Sequence, residues 1–377
     1  MKHHRLCQSL RCLFFAAALA SCAGTPAAPS APSSSARTVL PAATVLPNAP
    51  ISAAIHGITN SFTASDPFVQ NKRLGRGVNL GNMLEAPKGV NWGLTARDEY
   101  FQLIHAAGFT AVRVPIRWSD YAAPSAPYTI EPAFFAQIDH VVQQALGNQL
   151  VAIINVHHYD AMMTDPGSNT ARFLAIWQQI AVHYQAYAGD LLFEPLNEPN
   201  GALSGPVLNL LYAQVLTTIR ASNPTRNIVV GPMNWNAIDG LDDLELPAGD
   251  QHLIVTFHYY NPFHFTHQGA DWVEGSDAWL GTTWDGSTFE QSNVANDLSL
   301  AASWGRRHKR PIYMGEFGAY SSADMASRAR WMAVVAREAE QRNMSWTYWE
   351  FGAGFGVYDP AAKQWRAALL AALVPKS

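Results

Sequence analysis

The stretch Leu191-Leu-Phe-Glu-Pro-Leu-Asn-Glu-Pro199 decides how this chain reads, together with its counterpart Pro311-Ile-Tyr-Met-Gly-Glu-Phe-Gly318. Each begins as an apolar run of the kind a parallel strand needs when both its faces are covered. Each ends in a glutamate beside Pro or Gly. Six further runs of the same character bring the strand candidates to 74–80, 111–116, 150–156, 191–196, 227–231, 253–258, 311–315 and 345–349. Helical periodicity fills most of the intervals, at 96–107, 132–146, 170–187, 206–221, 290–308 and 324–342, and a last helix is expected at 364–373. The fifth interval is weak, with only a short helical stretch at 241–250. Eight strands alternating with helices predict an α/β protein, a single (β/α)8 TIM barrel. In such a barrel the strand C-termini meet on one face, and that face carries the active site.

Composition narrows the ligand. The 377 residues carry a formal charge of −4, with no basic stripe to follow a phosphate backbone, which argues against nucleic acid. Charged residues make up 14% while Trp numbers 12, a balance suited to a neutral, flat-faced ligand such as a sugar. Most tryptophans in any barrel are core, and Trp92, Trp118, Trp177, Trp304 and Trp331 are expected there. His105, His183 and His308 fall on helical stretches and read as structural.

The N-terminus reads as an export signal. Lys2, Arg5 and Arg11 precede the apolar run 13–20, which is too short to span a membrane. The run closes on Leu19-Ala-Ser-Cys22, which resembles the bacterial lipobox. The expected organisation is a lipoprotein signal peptide at 1–21, a lipidated Cys22 with an Ala/Pro/Ser-rich linker at 22–65, and the barrel at 66–377. Ala23 after the cysteine favours outer-membrane sorting in a Gram-negative host. The expected location is therefore the cell surface or outer membrane, otherwise secreted or periplasmic, with the membrane touched only through the lipid anchor. Cys7 and Cys12 also lie in the leader, so the barrel has no disulfide and no thiol chemistry. A monomer is expected.

The strand ends gather Asn82, Glu85, Arg113, His157, His158, Asn197, Glu198, His258, Tyr260, Glu316 and Trp349. A core has no need of so many polar groups at one end, since each must be hydrogen-bonded or costs free energy. Two carboxyl groups facing each other across a cleft can cleave a glycosidic bond, one protonated to serve the leaving oxygen and one ionised to attack the anomeric carbon. A cation such as Arg113 would hold Glu316 ionised, and burial would keep its opposite number protonated. The histidines could orient hydroxyls or relay protons near neutral pH.

Six motifs occur in order: Val-Arg113-Val-Pro, Asn155-Val-His-His-Tyr159, Leu196-Asn-Glu-Pro199, His258-Tyr-Tyr-Asn-Pro262, Gly315-Glu-Phe-Gly318 and Trp349-Glu350. Together they resemble glycoside hydrolase family 5. The segments Gly77-Val-Asn-Leu-Gly-Asn-Met-Leu-Glu-Ala-Pro87 and Phe265-Thr-His-Gln-Gly-Ala-Asp-Trp272 are similar to the thermophilic-type bacterial endoglucanases of that family, some of which also cut mannan. The resemblance spans nearly all of residues 70–374. It implies Glu198 as acid/base, Glu316 as nucleophile, Asn197 on the sugar 2-hydroxyl, and Trp349 as a platform followed by a non-proline cis peptide. Asn82, Glu85, His157, His158, Tyr260, His267 and Trp272 map onto its subsite positions, and Arg113 and His258 are expected to bind substrate beside them.

The expected activity is that of a retaining endo-β-1,4-glucanase, with β-mannan as a second substrate and no cofactor or metal. A β-mannanase or an exo-acting β-glucosidase on the same scaffold is the alternative within the class. Outside it stand a non-catalytic carbohydrate-binding barrel and a metal-dependent hydrolase. His157 and His158 are adjacent on a strand and point to opposite faces, which spoils them as a chelating pair.

Overall fold

A computed structural model describes residues 66–376. The expected signal peptide, Cys22 and linker lie outside the described residues. Eight strands form a closed barrel, each parallel to its neighbours: β1 (Arg76–Asn79), β2 (Ala111–Val114), β3 (Val151–Asn155), β4 (Leu191–Glu194), β5 (Ile228–Val230), β6 (Leu253–Tyr259), β7 (Ile312–Phe317) and β8 (Ser345–Tyr348). β8 closes on β1 through Gly77 opposite Thr347. Every expected strand is present, most of them shorter at the ends than the apolar runs suggest. Burial on both faces is complete along β2, β3, β4 and β6, which is why their sequences run apolar without alternating.

Two apolar layers result. Leu74, Ala111, Val151, Ile153, Leu192, Val229, Ile254 and Tyr313 fill the barrel interior near its N-terminal end. The residues between them on the strands, such as Val112, Phe193, Val255 and Met314, join the shell between strands and helices. The helices Pro132–Gly147, Pro166–His183, Gly205–Arg220, Thr288–His308 and Met325–Gln341 supply the other side of that shell. Trp118, Trp177, Trp304 and Trp331 are buried there as expected.

Four differences from the sequence expectation are local. A helix at Pro67–Leu74 precedes β1, started by Asp66, whose side chain accepts from the Phe68 and Val69 N–H groups. Its Asn71 donates to the Ile312 carbonyl and accepts from Ser345 Oγ, so it covers the N-terminal mouths of β7 and β8. The fifth helix is replaced by a 3-10 turn at Ile238–Asp243. At the C-terminus, Gln364–Trp365 pairs antiparallel with Tyr358–Asp359, and the helix is confined to Ala367–Leu373. The long segment after β6 folds down on itself: Trp284 is 1% exposed, and its backbone N–H donates to Ser327 Oγ.

One irregularity positions the chemistry. Along β6 and β7, Phe257 lies opposite Met314, but the next pair is His258 with Glu316. Gly315 is therefore an extra residue, a β-bulge. Tyr313 faces the interior and Met314 the outer shell, so strict alternation would turn Glu316 outward. The bulge returns it to the interior.

Ile254 is fully buried in the interior layer. Ile254→Ala should lower unfolding free energy by about 2–5 kcal/mol, read as a fall in the urea midpoint at unchanged slope. An unchanged midpoint would mean that this layer does not hold the barrel.

Candidate active site

At the C-terminal face the polar residues converge on one guanidinium. Arg113, on β2, is wholly buried and makes two hydrogen bonds of 2.6 Å to Glu194, one to each oxygen. It also donates to Glu316 Oε1 at 2.7 Å, Asn197 Oδ1 at 2.6 Å and Asn79 Oδ1 at 2.9 Å. Burial works against its charge, but Glu194 first and then Glu316 hold it firmly ionised. The expected pairing of Arg113 with Glu316 is present. Its expected contact with a ligand is not, because no part of the side chain reaches the cleft.

Glu316 receives a second donor from the other side, Tyr260 Oη to Oε2 at 2.8 Å. Burial, then the negative charge of Glu316, keeps the Tyr260 hydroxyl protonated and so a donor. Burial lifts Glu316 itself above the ordinary glutamate range, with His258 and Arg113 pulling it back. Arg113 acts in the direction expected of a neighbouring cation, but desolvation is the larger effect.

Glu198 lies just beyond the end of β4 in a left-handed conformation, φ +46°, uncommon for a residue with a Cβ and frequent at functional positions. Its Oε1 lies 2.7 Å from His258 Nδ1. About 28% of its side chain opens to the cleft, yet the dense surroundings below it raise its pKa to about 7. Arg113 opposes that rise and Glu194 reinforces it. One oxygen of Glu198, one of Glu316 and a His258 ring nitrogen all lie within 4.8 Å of one another. That proximity lets the two carboxyl groups work on one anomeric carbon.

The cleft has two lobes of about 940 and 770 Å³ that meet at Glu198, Tyr260, His267 and Trp272. The smaller one holds Asn82, Glu85, His157, His158, Glu316 and Trp349. Trp349 lies parallel to His157 at 5.6 Å between ring centroids, and its bond to Glu350 is cis. Both adjacent histidines line this lobe, with rings 83° apart, because the chain leaves strand geometry after Asn155. Glu85 is almost fully buried, and its oxygens accept the backbone N–H groups of Asn82, Met83 and Leu84. Its carboxylate is largely committed to shaping the loop that presents Asn82. Trp272 is 58% exposed between the lobes.

All four cleft histidines are driven neutral. Burial pushes His158, His258 and His267 down to about 4, and His157 well below its ordinary value. The expected proton relay by histidine near neutral pH is therefore corrected. They act as fixed neutral hydrogen-bonding groups.

Several contributors escaped the sequence reading. Glu194, Asn79 and Asn155 are fully buried polar residues on β4, β1 and β3, and Asn155 holds His157 Nδ1 at 3.1 Å. Glu194 lies two residues beyond the interior-facing Leu192, so alternation alone could have flagged it. Trp92, expected in the core, is 39% exposed and edges His158 at 6.0 Å. Trp235 and Asn236 follow β5 in a run of three left-handed residues, and Trp235, 58% exposed, lines the larger lobe. His183 and His308 stack on Phe135 and Trp304, away from the cleft.

A barrel with paired glutamates at the ends of β4 and β7 is an arrangement that can cleave a glycosidic bond. The sequence profile of cellulase (glycosyl hydrolase family 5) matches residues 74–354, and the chain belongs to that family. Endoglucanase H of Acetivibrio thermocellus is 36% identical over 301 residues, covering 80% of this chain and 32% of that protein. The chain thus spans about a third of the length of that curated relative. The structure of endoglucanase Cel5A from the hyperthermophilic Thermotoga maritima is 48% identical with a TM-score of 0.81, covering 82% of this chain and all of the other. The same protein has been solved with mannotriose and with cellobiose. The Clostridial cellulose synthase subunit Z from Clostridioides difficile is 38% identical with a TM-score of 0.78, covering 80% of this chain and 99% of that one.

Glu85, Glu198 and Glu350 should each titrate near 7, burial being the leading cause in all three. Carboxyl-carbon NMR should lose one such titration in Glu198→Gln. None of the four cleft histidines should take up a proton between about pH 8 and about pH 5. A cleft histidine that charges in that range would overturn the neutral-ring assignment.

Proposed function

We propose that this chain is a retaining endo-β-1,4-glucanase in which Glu316 is the nucleophile and Glu198 the acid/base. The carrying observation is the close carboxyl pair with unlike partners. Glu316 accepts from Arg113 and Tyr260, which favours the ionised form, while Glu198 meets a neutral imidazole and the open cleft. In the first step the Glu316 carboxylate bonds to the anomeric carbon as the glycosidic C–O bond breaks. The leaving oxygen keeps the bonding pair and takes the Glu198 proton. In the second step Glu198, now ionised, accepts a proton from water as that water's oxygen attacks the anomeric carbon and Glu316 departs. Configuration is retained through two inversions.

Lobes that meet at Glu198 support internal cleavage, since a polymer can extend past the carboxyl pair both ways. β-1,4-Glucan is the main substrate, and the mannotriose complex of the Thermotoga relative supports β-mannan as a second. The lipobox-like Leu19-Ala-Ser-Cys22 supports a surface-tethered monomer, with nearly 30 residues of Ala/Pro/Ser-rich spacer between Cys22 and about residue 50. Such a tether suits soluble or partly degraded glucan better than crystalline cellulose.

Glu316→Gln should lower kcat by several orders of magnitude on every substrate. Glu198→Ala should be partly rescued by an aryl glycoside with a good leaving group, which needs no proton. Equal, unrescued losses would contradict the two roles, and NMR of the first-formed anomer should show retention. Because the acid must be protonated, kcat/KM should fall as pH rises through about 7; a plateau reaching well into alkaline pH would assign the proton to another group.

Activity should fractionate with membranes, and Cys22→Ser should release it or block its maturation. A Cys22→Ser protein that fractionates and matures like wild type would refute the anchor.

A further inference from the structure

Behind His258, on the side away from the carboxyl pair, lies a fully buried amide that no step above uses. Asn236 Nδ2 is 3.2 Å from His258 Nε2, and Asn236 Oδ1 has no hydrogen-bond partner among the described residues. The only side-chain hydrogen bond described for this amide is therefore to the histidine. We infer that Asn236 is a positioning residue: it fixes His258 as the Nδ1–H tautomer, which assigns the Glu198 proton to Oε2, the oxygen turned away from the ring. The inference rests on the reading of Glu198 as the acid/base.

The argument starts at Nδ1. That nitrogen faces two carboxyl oxygens, Glu198 Oε1 at 2.7 Å and Glu316 Oε2 at 3.6 Å. A proton on Nδ1 meets an acceptor oxygen on both, whereas a lone pair there would be matched only if Glu198 turned its own proton inward. Arg113 on β2 and Glu194 on β4 add their charges to the same surroundings, where Glu316 on β7 acts most strongly, and burial keeps His258 neutral among them. A neutral ring with a proton on Nδ1 has an acceptor at Nε2, and an acceptor 2% exposed must be given a donor. The Asn236 amide supplies it.

Glu198 Oε1 then accepts from Nδ1–H. A carboxylic acid whose one oxygen is held by a donor carries its own proton on the other oxygen. With the tautomer reversed, Glu198 could donate its proton to His258 Nδ1 and bury it away from the leaving group. The amide thus decides whether the acid faces its substrate.

The backbone is built to allow this. Asn234, Trp235 and Asn236 have φ of 58°, 57° and 57°, three successive left-handed residues of which the two asparagines suit that region best. A Cβ on Gly231 would come within 2.2 Å of Asn236 Oδ1, and one on Gly315 within 3.0 Å of His258 Nε2. Both positions are glycine, which leaves room for the amide and the ring to meet.

The test combines 15N NMR of histidine-labelled protein near pH 7 with a series of aryl β-cellobiosides of graded leaving-group pKa. Wild type should show His258 protonated at Nδ1 and bare at Nε2. In Asn236→Asp the carboxylate would accept from Nε2–H, so the ring should shift to the other tautomer. That variant should lose roughly 10–100-fold in kcat on poor leaving groups, and little on a dinitrophenyl leaving group. Asn236→Ala, with no donor or acceptor, should lie between the two. Wild-type His258 protonated at Nε2 overturns the inference whether or not the variants fold, and so does a loss uniform across leaving groups. Failure of wild type to cut soluble β-1,4-glucan would defeat the proposed substrate instead, leaving the NMR and aryl-glycoside results to decide this point.

Discussion

A guanidinium without water is the constraint on which the rest of this site depends. Arg113 sits in the barrel where no solvent reaches, and a bare cation there is unaffordable unless every donor is matched. Glu194 matches it with both oxygens; Glu316, Asn197 and Asn79 take the remaining hydrogens. Removing one partner of such a buried pair typically costs about 3–5 kcal/mol, because the other charge stays behind unpaired. The network therefore locks four strands to each other at their C-terminal ends. It also holds Glu316 in place from below before any ligand arrives.

Above this buried layer, two further carboxylates stabilise the rim. Glu85 accepts backbone N–H groups from its own loop, and Glu350 does the same for Gly352, Ala353 and Phe355. Loops on the catalytic face carry few apolar contacts, so their shape must come from such local bonds. Gly81 and Trp349 touch where these two loops meet, a Cβ on the glycine falling 3.1 Å from the indole. Asn82 and Trp349 are thereby presented to the cleft on stiff supports.

The barrel itself was legible because a strand covered on both faces must be apolar throughout, and runs such as Leu253-Ile-Val-Thr-Phe admit few other readings. The missed helix at Pro67–Leu74 has a buried face that is partly polar, Gln70 and Asn71 beside Leu74, so no apolar stripe announces it. The carboxyl pair, Arg113 and the place of Trp349 in the cleft were legible from strand ends and motif order. Glu194 was hidden by the more conspicuous glutamate four residues later, although it shares the same segment. Trp235 and Asn236 were hidden for a different reason: no hydrophobic period predicts a left-handed turn, and β5, three residues long, gives little to count from. Trp92 follows no strand at all. Its value comes from the fold of a loop, which pattern reading does not reach.

The bulge at Gly315 makes the inward aim of Glu316 a matter of counting. No attraction draws that side chain to the interior until the chain has already spent one residue out of register between Met314 and Glu316. Pairing Gly315 in register opposite His258, with no residue set aside, would leave composition, hydropathy and every other strand as they are. That register would turn Glu316 toward the helices and bring Phe317 into the barrel beneath the cleft. The inward aim of Glu316 therefore depends on the bulge as much as on the identity of the glutamate, and a register read from the apolar residues alone, with none set aside at Gly315, would misplace it.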